Sequence, residues 1–171
     1  INGQPLTLIG YHGLVTGLAT VELDIRRAHE KGETVIVFAH TGAEYTLRFT
    51  ARQQRDYRRL IDAGADLVIG SHPHVVEPLE IYRGKLIAYS LGNFIFDQYF
   101  STDTQQHLMV QLQATDRQFT FRLTPLISVR SQVRLAPASI GQRLLDRLAR
   151  DSVATSAQRQ TIRSGTITLS R

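Results

Sequence analysis

Cysteine is absent from all 171 residues, which excludes disulfides, thiolate zinc sites and a cysteine nucleophile together and leaves the redox compartment undecided. Any metal bound by this chain must be held by His, Asp, Glu or Asn. Long apolar runs are missing as well. No stretch approaches the roughly eighteen consecutive apolar residues of a membrane span, and the opening INGQPLTLIG lacks the charged start and long apolar middle of a signal peptide. The segment is therefore expected to be soluble and to make no membrane contact of its own. Acidic residues are in the minority, 15 Asp and Glu against 20 Lys and Arg, with Arg far outnumbering Lys. The formal charge of +5 would help hold a polyanion. The basic residues are scattered, however, no aromatic residues interleave with an Arg run, and no nucleic-acid-binding motif is present, so no nucleic-acid partner is expected.

What is present suffices for one domain. A hydrophobic content of 42% over 171 residues gives a real core and makes two domains a poor reading. The chain does not open with Met, and Ile1 stands a few residues before a strand-like run. The start of the natural protein is therefore expected upstream.

Hydrophobic periodicity places the elements. Leu6 to Ile9 reads as a short buried strand closed by Gly10. Thr20 can cap a helix with Val21, Ile25 and Ala28 on one face and Gly32 as its stop. Thr34 to Ala39 is apolar on both faces, as expected of a central strand covered on each side. A second helix opens at Thr50 with Gln53 three residues on, a capping box, and turns Tyr57, Leu60 and Ile61 to one side before Gly64. Leu67 to Ile69 follows as another buried strand. Strand, helix, strand, helix, strand argues for α/β layering on a parallel sheet, whose ligands gather beyond the carboxyl ends of the strands. After Pro78 the pattern becomes antiparallel. Leu79 to Tyr82 and Leu86 to Ser90 flank the hairpin signal Arg83-Gly84-Lys85. Leu108 to Ala114 and Phe119 to Leu123 flank Thr115-Asp116-Arg117-Gln118, and Ile127 to Val133 reads as a further strand. Ser139 to Arg150 is a terminal helix with Ile140, Leu144, Leu145 and Leu148 on its apolar face, and Asp151 to Arg171 is polar and left without assignment.

Chemistry gathers at the strand ends. His40 directly follows one apolar strand and His72 follows another, with His74 two residues on. Pro73 fixes its own φ and biases His72 toward an extended conformation. Three imidazoles are thus expected on one rim. Neutral imidazole suits zinc, iron and manganese, and an H-x-H pair in a stiff turn can send both rings to one ion or one to each of two neighbours. Two ions about 3.5 to 4 Å apart would bind a phosphoryl group and supply a nucleophile at neutral pH. Glu44 is a candidate for orienting an imidazole or touching substrate. Asn93 follows Gly92 at the end of the strand Leu86 to Leu91 and is a better candidate than Asp97. His12, after the first strand, could reach the same rim, whereas His29 and His107 read as surface residues.

At these residues the sequence resembles a known family. VIVFAHTGAEY is similar to the H-W-G-x-E-Y segment of bacterial capsule-synthesis CapA-type proteins, also called poly-γ-glutamate biosynthesis proteins. LIDAGADLVIGSHPHVVEPLEIYRGKLIAYSLGNFIFD resembles their G-x-H-P-H through S-L-G-N-F-x-F-D segment. The pattern runs in order and spacing from Val35 to Asp97, and weaker similarity extends to Leu8 and into the helix at Ser139. Thr41 stands where the family usually has Trp, which bears on the shape beside His40.

That family is similar to the calcineurin-like metallophosphoesterases, so the resemblance implies a sandwich of mixed sheets flanked by helices, here lacking its N-terminal half. It implies His40 and His72 on one divalent ion (Mn, Zn or Fe) and His74 on a second; together with the residue reading above, this makes His40, Glu44 and Asn93 the expected catalytic residues. The early Asp, bridging Asp and Asn-His pair of the superfamily have no counterpart, since neither D-x-H, G-D-x-x-D nor G-N-H occurs. Fewer than two ions are therefore expected on this chain alone. The resemblance further implies an anionic polymer or phosphoester substrate and other capsule-synthesis proteins as partners. It places the protein at the cell envelope, on the extracytoplasmic side, with any anchor upstream of Ile1. A non-enzymatic polymer-binding or assembly module is the rival expectation.

Overall fold

The computed structural model describes residues 5–171; residues 1–4, and with them Ile1, lie outside the described residues. The first half alternates as the periodicity predicts: β1 (Leu6–His12), α1 (Leu18–Glu30), β2 (Thr34–His40), α2 (Ala51–Asp62) and β3 (Leu67–Ser71). The three strands are parallel and in one register, which brings His12 beside His40 and His40 beside Ser71. A hairpin, β4 (Leu79–Tyr82) and β5 (Lys85–Ala88), completes this sheet in the order β1-β2-β3-β5-β4, with β5 parallel to β3. Its two-residue turn holds Arg83 at φ 50° and Gly84 at φ 74°, the pair of positive angles that matches the twist of a tight hairpin.

The second sheet is antiparallel throughout: β6 (Gln106–Ala114), β7 (Gln118–Val129), β8 (Gln132–Leu135) and β9 (Thr166–Ser170). One edge of the long strand β7 is taken by β6. Its other edge is shared, with β9 along Gln118–Arg122 and β8 along Leu126–Val129. Between β8 and β9 lie α3 (Ala138–Asp151) and α4 (Ser156–Arg163).

Two cores follow from this layering. Ile36, Leu67, Leu86 and Ala88 on one face of the first sheet pack with Phe119 and Phe121 of the second sheet, joined by Leu148 of α3 and Ile162 of α4. Val35, Val37, Val68 and Ile87 on the opposite face pack with Ile25 of α1 and Leu60 of α2. Coverage on both faces is why β2 and β3 read as unbroken apolar runs. The architecture is α/β, with mixed sheets flanked by helices, consistent with part of a metallophosphoesterase-like sandwich. Among the described residues, no helix is long and apolar enough to cross a membrane.

Four details differ from the sequence reading. First, α1 begins before Thr20, at Leu18 with Gly17 as an extended N-cap that makes no side-chain bond; the cap is set by backbone shape alone. Second, Phe38 is 49% exposed because it lines an open groove with Leu108, Met109 and Val110 of β6 rather than a closed layer; Leu8, aligned with Ile36 on the same face, is also exposed. Third, Ile127 to Val133 is two strands, broken by a turn in which Arg130 and Ser131 have φ of 50° and 61°. Fourth, the polar tail folds. Thr155 and Gln158 form a full capping box that starts α4, and β9 follows with Ile167 buried beneath exposed Thr166 and Thr168.

Candidate metal centre

The parallel register lines up the carboxyl ends of β1, β2 and β3, and the chain continues it: Gly13 N–H donates to His40 O at 3.1 Å and Thr41 N–H to Ser71 O at 3.1 Å. The imidazoles consequently stand in a row. Ring centroids are 5.0 Å apart for His12 and His40, 4.9 Å for His40 and His72, and 6.1 Å for His72 and His74. The structure thus brings His40, His72 and His74 together and adds His12, which the register of an edge strand places there.

His72 does not take the extended conformation expected of a residue before proline. It has φ 99°, and His74 has φ 63°. Positive φ in a side chain of this size costs on the order of 1–3 kcal/mol and persists only where surroundings impose it. The imposition is visible: Tyr45 N–H donates to Pro73 O at 2.9 Å, and Tyr45 itself has φ 61°. The turn is held from the neighbouring loop, and its result is that the two rings flanking Pro73 face the same rim.

Hydrogen bonds select which ring nitrogen is free. The Ser71 hydroxyl donates to Ala39 O at 3.1 Å, leaving its oxygen to accept from His40 Nδ1 at 3.1 Å. The Asn93 amide nitrogen donates to Gln98 Oε1 and Thr104 O, leaving Oδ1 to accept from His74 Nδ1 at 2.8 Å. In both residues the proton on Nδ1 leaves Nε2 with its lone pair, the arrangement in which an imidazole binds a metal. Burial, then the neighbouring imidazoles His72, His12 and His74, lower the pKa of His40, which favours its neutral form. Asn93, buried at 8% exposure, acts on His74 rather than on the open rim.

Glu44 closes the set. Its Oε1 lies 3.8 Å from His74 Nε2, and one donor atom each from Glu44, His72 and His74 lie within 4.8 Å of one another. Two imidazoles and a carboxylate fit a borderline divalent cation such as zinc, iron or manganese. Glu44 is exposed, so one side of the set is open to solvent. His40 flanks His72 on the other side and stands outside that three-residue group. Aromatic rings form a rim: Tyr45 stacks on His74 at 5.6 Å, Phe96 lies 5.3 Å from His74, and Phe100 meets Tyr45 edge-on at 5.1 Å.

Of the remaining candidates, Asp97 is exposed and His29 sits on the outer face of α1. His107 is not on the surface. It is 1% exposed, with no hydrogen bond to either ring nitrogen among the described residues, because β6 turns it inward. Thr41 is buried against Gly13, where an added Cβ would lie 2.7 Å from the Thr41 Cβ. The small residue at 41 therefore lets the β1 end close over the His40 loop.

The comparisons with known proteins fall on this same segment. The family model described as Bacterial capsule synthesis protein PGA_cap matches residues 9–98, a span that contains His12, His40, Glu44, His72, His74 and Asn93. The chain is 46% identical over 87 residues to the PGA biosynthesis protein CapA of Bacillus subtilis, covering 51% of this chain and 23% of that protein. It is 40% identical over 84 residues to the capsule biosynthesis protein CapA of Bacillus anthracis, covering 49% and 20%. A probable polyglutamine synthesis accessory protein of Mycobacterium tuberculosis is 39% identical over 66 residues, covering 39% and 17%. The chain spans about a fifth of the length of these curated relatives. With the match running through both histidine loops and over more than half of its residues, the chain belongs to the bacterial capsule synthesis protein PGA_cap family.

Proposed function

We propose that this chain carries the histidine-rich part of a metal-dependent hydrolase centre in a protein of capsule or poly-γ-glutamate biosynthesis. The observation that carries the reading is the Glu44, His72 and His74 donor group within 4.8 Å, with the His74 tautomer fixed by Asn93. A divalent ion held there supplies Lewis acidity toward a phosphoryl or carboxyl oxygen and lowers the pKa of water. Glu44 contributes the carboxylate oxygen, His72 and His74 the ring nitrogens. Neutral His40, its Nε2 free and its ring 4.9 Å from that of His72, serves as an added ligand or as a proton acceptor beside the ester. One complete donor group among the described residues corresponds to one ion per chain rather than two. The substrate is an anionic polymer or a phosphoester, and the protein works with other capsule-synthesis proteins on the extracytoplasmic side of the envelope.

The test is hydrolysis of a generic phosphodiester with manganese or zinc, alongside metal content by elemental analysis. The wild-type protein is expected to turn over substrate only with metal, and His72→Ala to lose at least about a hundredfold in rate along with the bound ion. Equal rates for the two proteins would refute the hydrolase reading. A second reading, a non-enzymatic accessory module, is favoured by the accessory-protein name of the mycobacterial relative. Polymer binding without turnover would support it.

A further inference from the structure

Beneath the histidine loops lies a buried polar contact that metal binding does not use. Gln53, 1% exposed, stands in the first turn of α2, and every polar atom of its side chain is engaged. Its Oε1 accepts from Thr50 N at 2.8 Å as part of the capping box. Its Nε2 donates to two acceptors on different loops, Thr41 O at 3.3 Å and Glu77 Oε2 at 2.9 Å. Thr41 adjoins His40, and Glu77 follows His74 by three residues. Glu77 is 0% exposed, and its backbone N–H donates to Ser90 O at 3.1 Å. Neither Glu77 Oε1 nor the buried Tyr57 hydroxyl has a hydrogen-bond partner among the described residues. There is no slack around the contact. A Cβ on Gly42 would lie 2.6 Å from Gln53 Nε2 and 2.9 Å from Pro73 Cγ, and one on Gly70 would lie 2.8 Å from the Tyr57 hydroxyl.

We propose that Gln53 and Glu77 are positioning residues, a buried amide-to-acid clamp that fixes the spacing between the loop bearing His40 and Glu44 and the loop bearing His72 and His74. The importance of that spacing for an ion rests on the metal-centre reading above; the mechanical coupling of the loops does not. Glu77 is fully buried with a single neutral donor on its carboxyl group, and burial raises its pKa to about 7, with the Gln53 hydrogen bond pulling the other way. A neutral acid is therefore well populated near neutrality, and glutamine at 77 reproduces it.

The experiment uses the whole chain and two readouts, zinc affinity by competition with a chromophoric chelator and amide hydrogen exchange without metal. In the wild type, the Thr41 and Glu77 amides are expected to open with one common free energy. Gln53→Met keeps side-chain volume but removes both N–H donors. It is expected to speed exchange in both loops together and to weaken zinc binding by about tenfold to a hundredfold. In otherwise wild-type protein, Glu77→Gln should leave both readouts near wild type, where Glu77→Ala does not. Thr50→Ala, which breaks the cap but leaves Gln53 Nε2 in place, should lower helix stability without uncoupling the loops. Separate opening energies for the two amides in the wild type, or exchange in Gln53→Met that changes in only one loop, would overturn the clamp. Failure of the wild type to bind zinc would count against the metal centre and leave the exchange test of the clamp standing.

Discussion

Glu77 shows how a single buried acid makes stability depend on pH. Its pKa is raised by burial from 4.5 to about 7 in the folded chain, so between those values the folded state binds more protons than the unfolded one. Stability must then be full below about pH 4.5, fall as pH rises through the window to about 7, and level off above it. The ionised form costs on the order of 3 kcal/mol if the whole shift applies. Urea unfolding of the wild type and Glu77→Gln at pH 5 and pH 8 should therefore show the variant gaining about 2–3 kcal/mol relative to the wild type at the higher pH. A gap that does not change with pH would show Glu77 to be ionised at no cost. The histidines are a different case at the same scale. His40, His72 and His74 could be picked out in the sequence because each follows an apolar strand or sits in a rigid H-P-H turn. Glu44 and His12 could be named as candidates but not given a partner, because a loop carboxylate meets His74, and an edge-strand histidine meets His40, only through contacts distant in sequence.

At the scale of elements, α2 does more than cover the sheet. Besides carrying Gln53, it sends Arg58 to Glu80 on β4, with Nε and Nη2 at 2.9 and 2.5 Å from Oε1. Glu80 is 1% exposed and also accepts from the Tyr89 hydroxyl at 2.5 Å. Removing the cation leaves a buried charge with only neutral partners, so Arg58→Ala is expected to lower stability by about 3 kcal/mol. Arg58→Met combined with Glu80→Gln should lose less than the single change, as denaturant titration of the three proteins would show. The capping boxes at Thr50 and Thr155 are both local, yet only the first stands out in the sequence. The second opens a helix of eight residues, too short for its periodicity to stand out from a polar tail.

For the molecule as a whole, stability rests on two layers, the contact between the two sheets and the packing of α1 and α2 on the first sheet; the first is tested by a pair of phenylalanines. Phe121, 1% exposed in that layer, should cost about 3–5 kcal/mol when changed to Ala. Phe38→Ala should cost about 1 kcal/mol, because it is 49% exposed and faces an open groove rather than a closed layer. Thermal or urea unfolding of the two variants gives the comparison directly, and equal losses would mean that the layer between the sheets is no better packed than the open groove at Phe38.

The sequence by itself determined the parallel βαβαβ half, the antiparallel half and the strand ends on which the histidines fall, because hydrophobic period, caps and turn residues act over a few positions. Tertiary structure alone decided the rest: the positive φ at His72 and His74, the tautomers of His40 and His74, the approach of Glu44 to His74, the burial of His107, and the exposure of Phe38. Each of these depends on a partner distant along the chain or on where the two sheets leave a groove open. Such contacts leave no periodic trace in the residues that make them, so they exist only once the strands have paired in register and the loops have closed over one another.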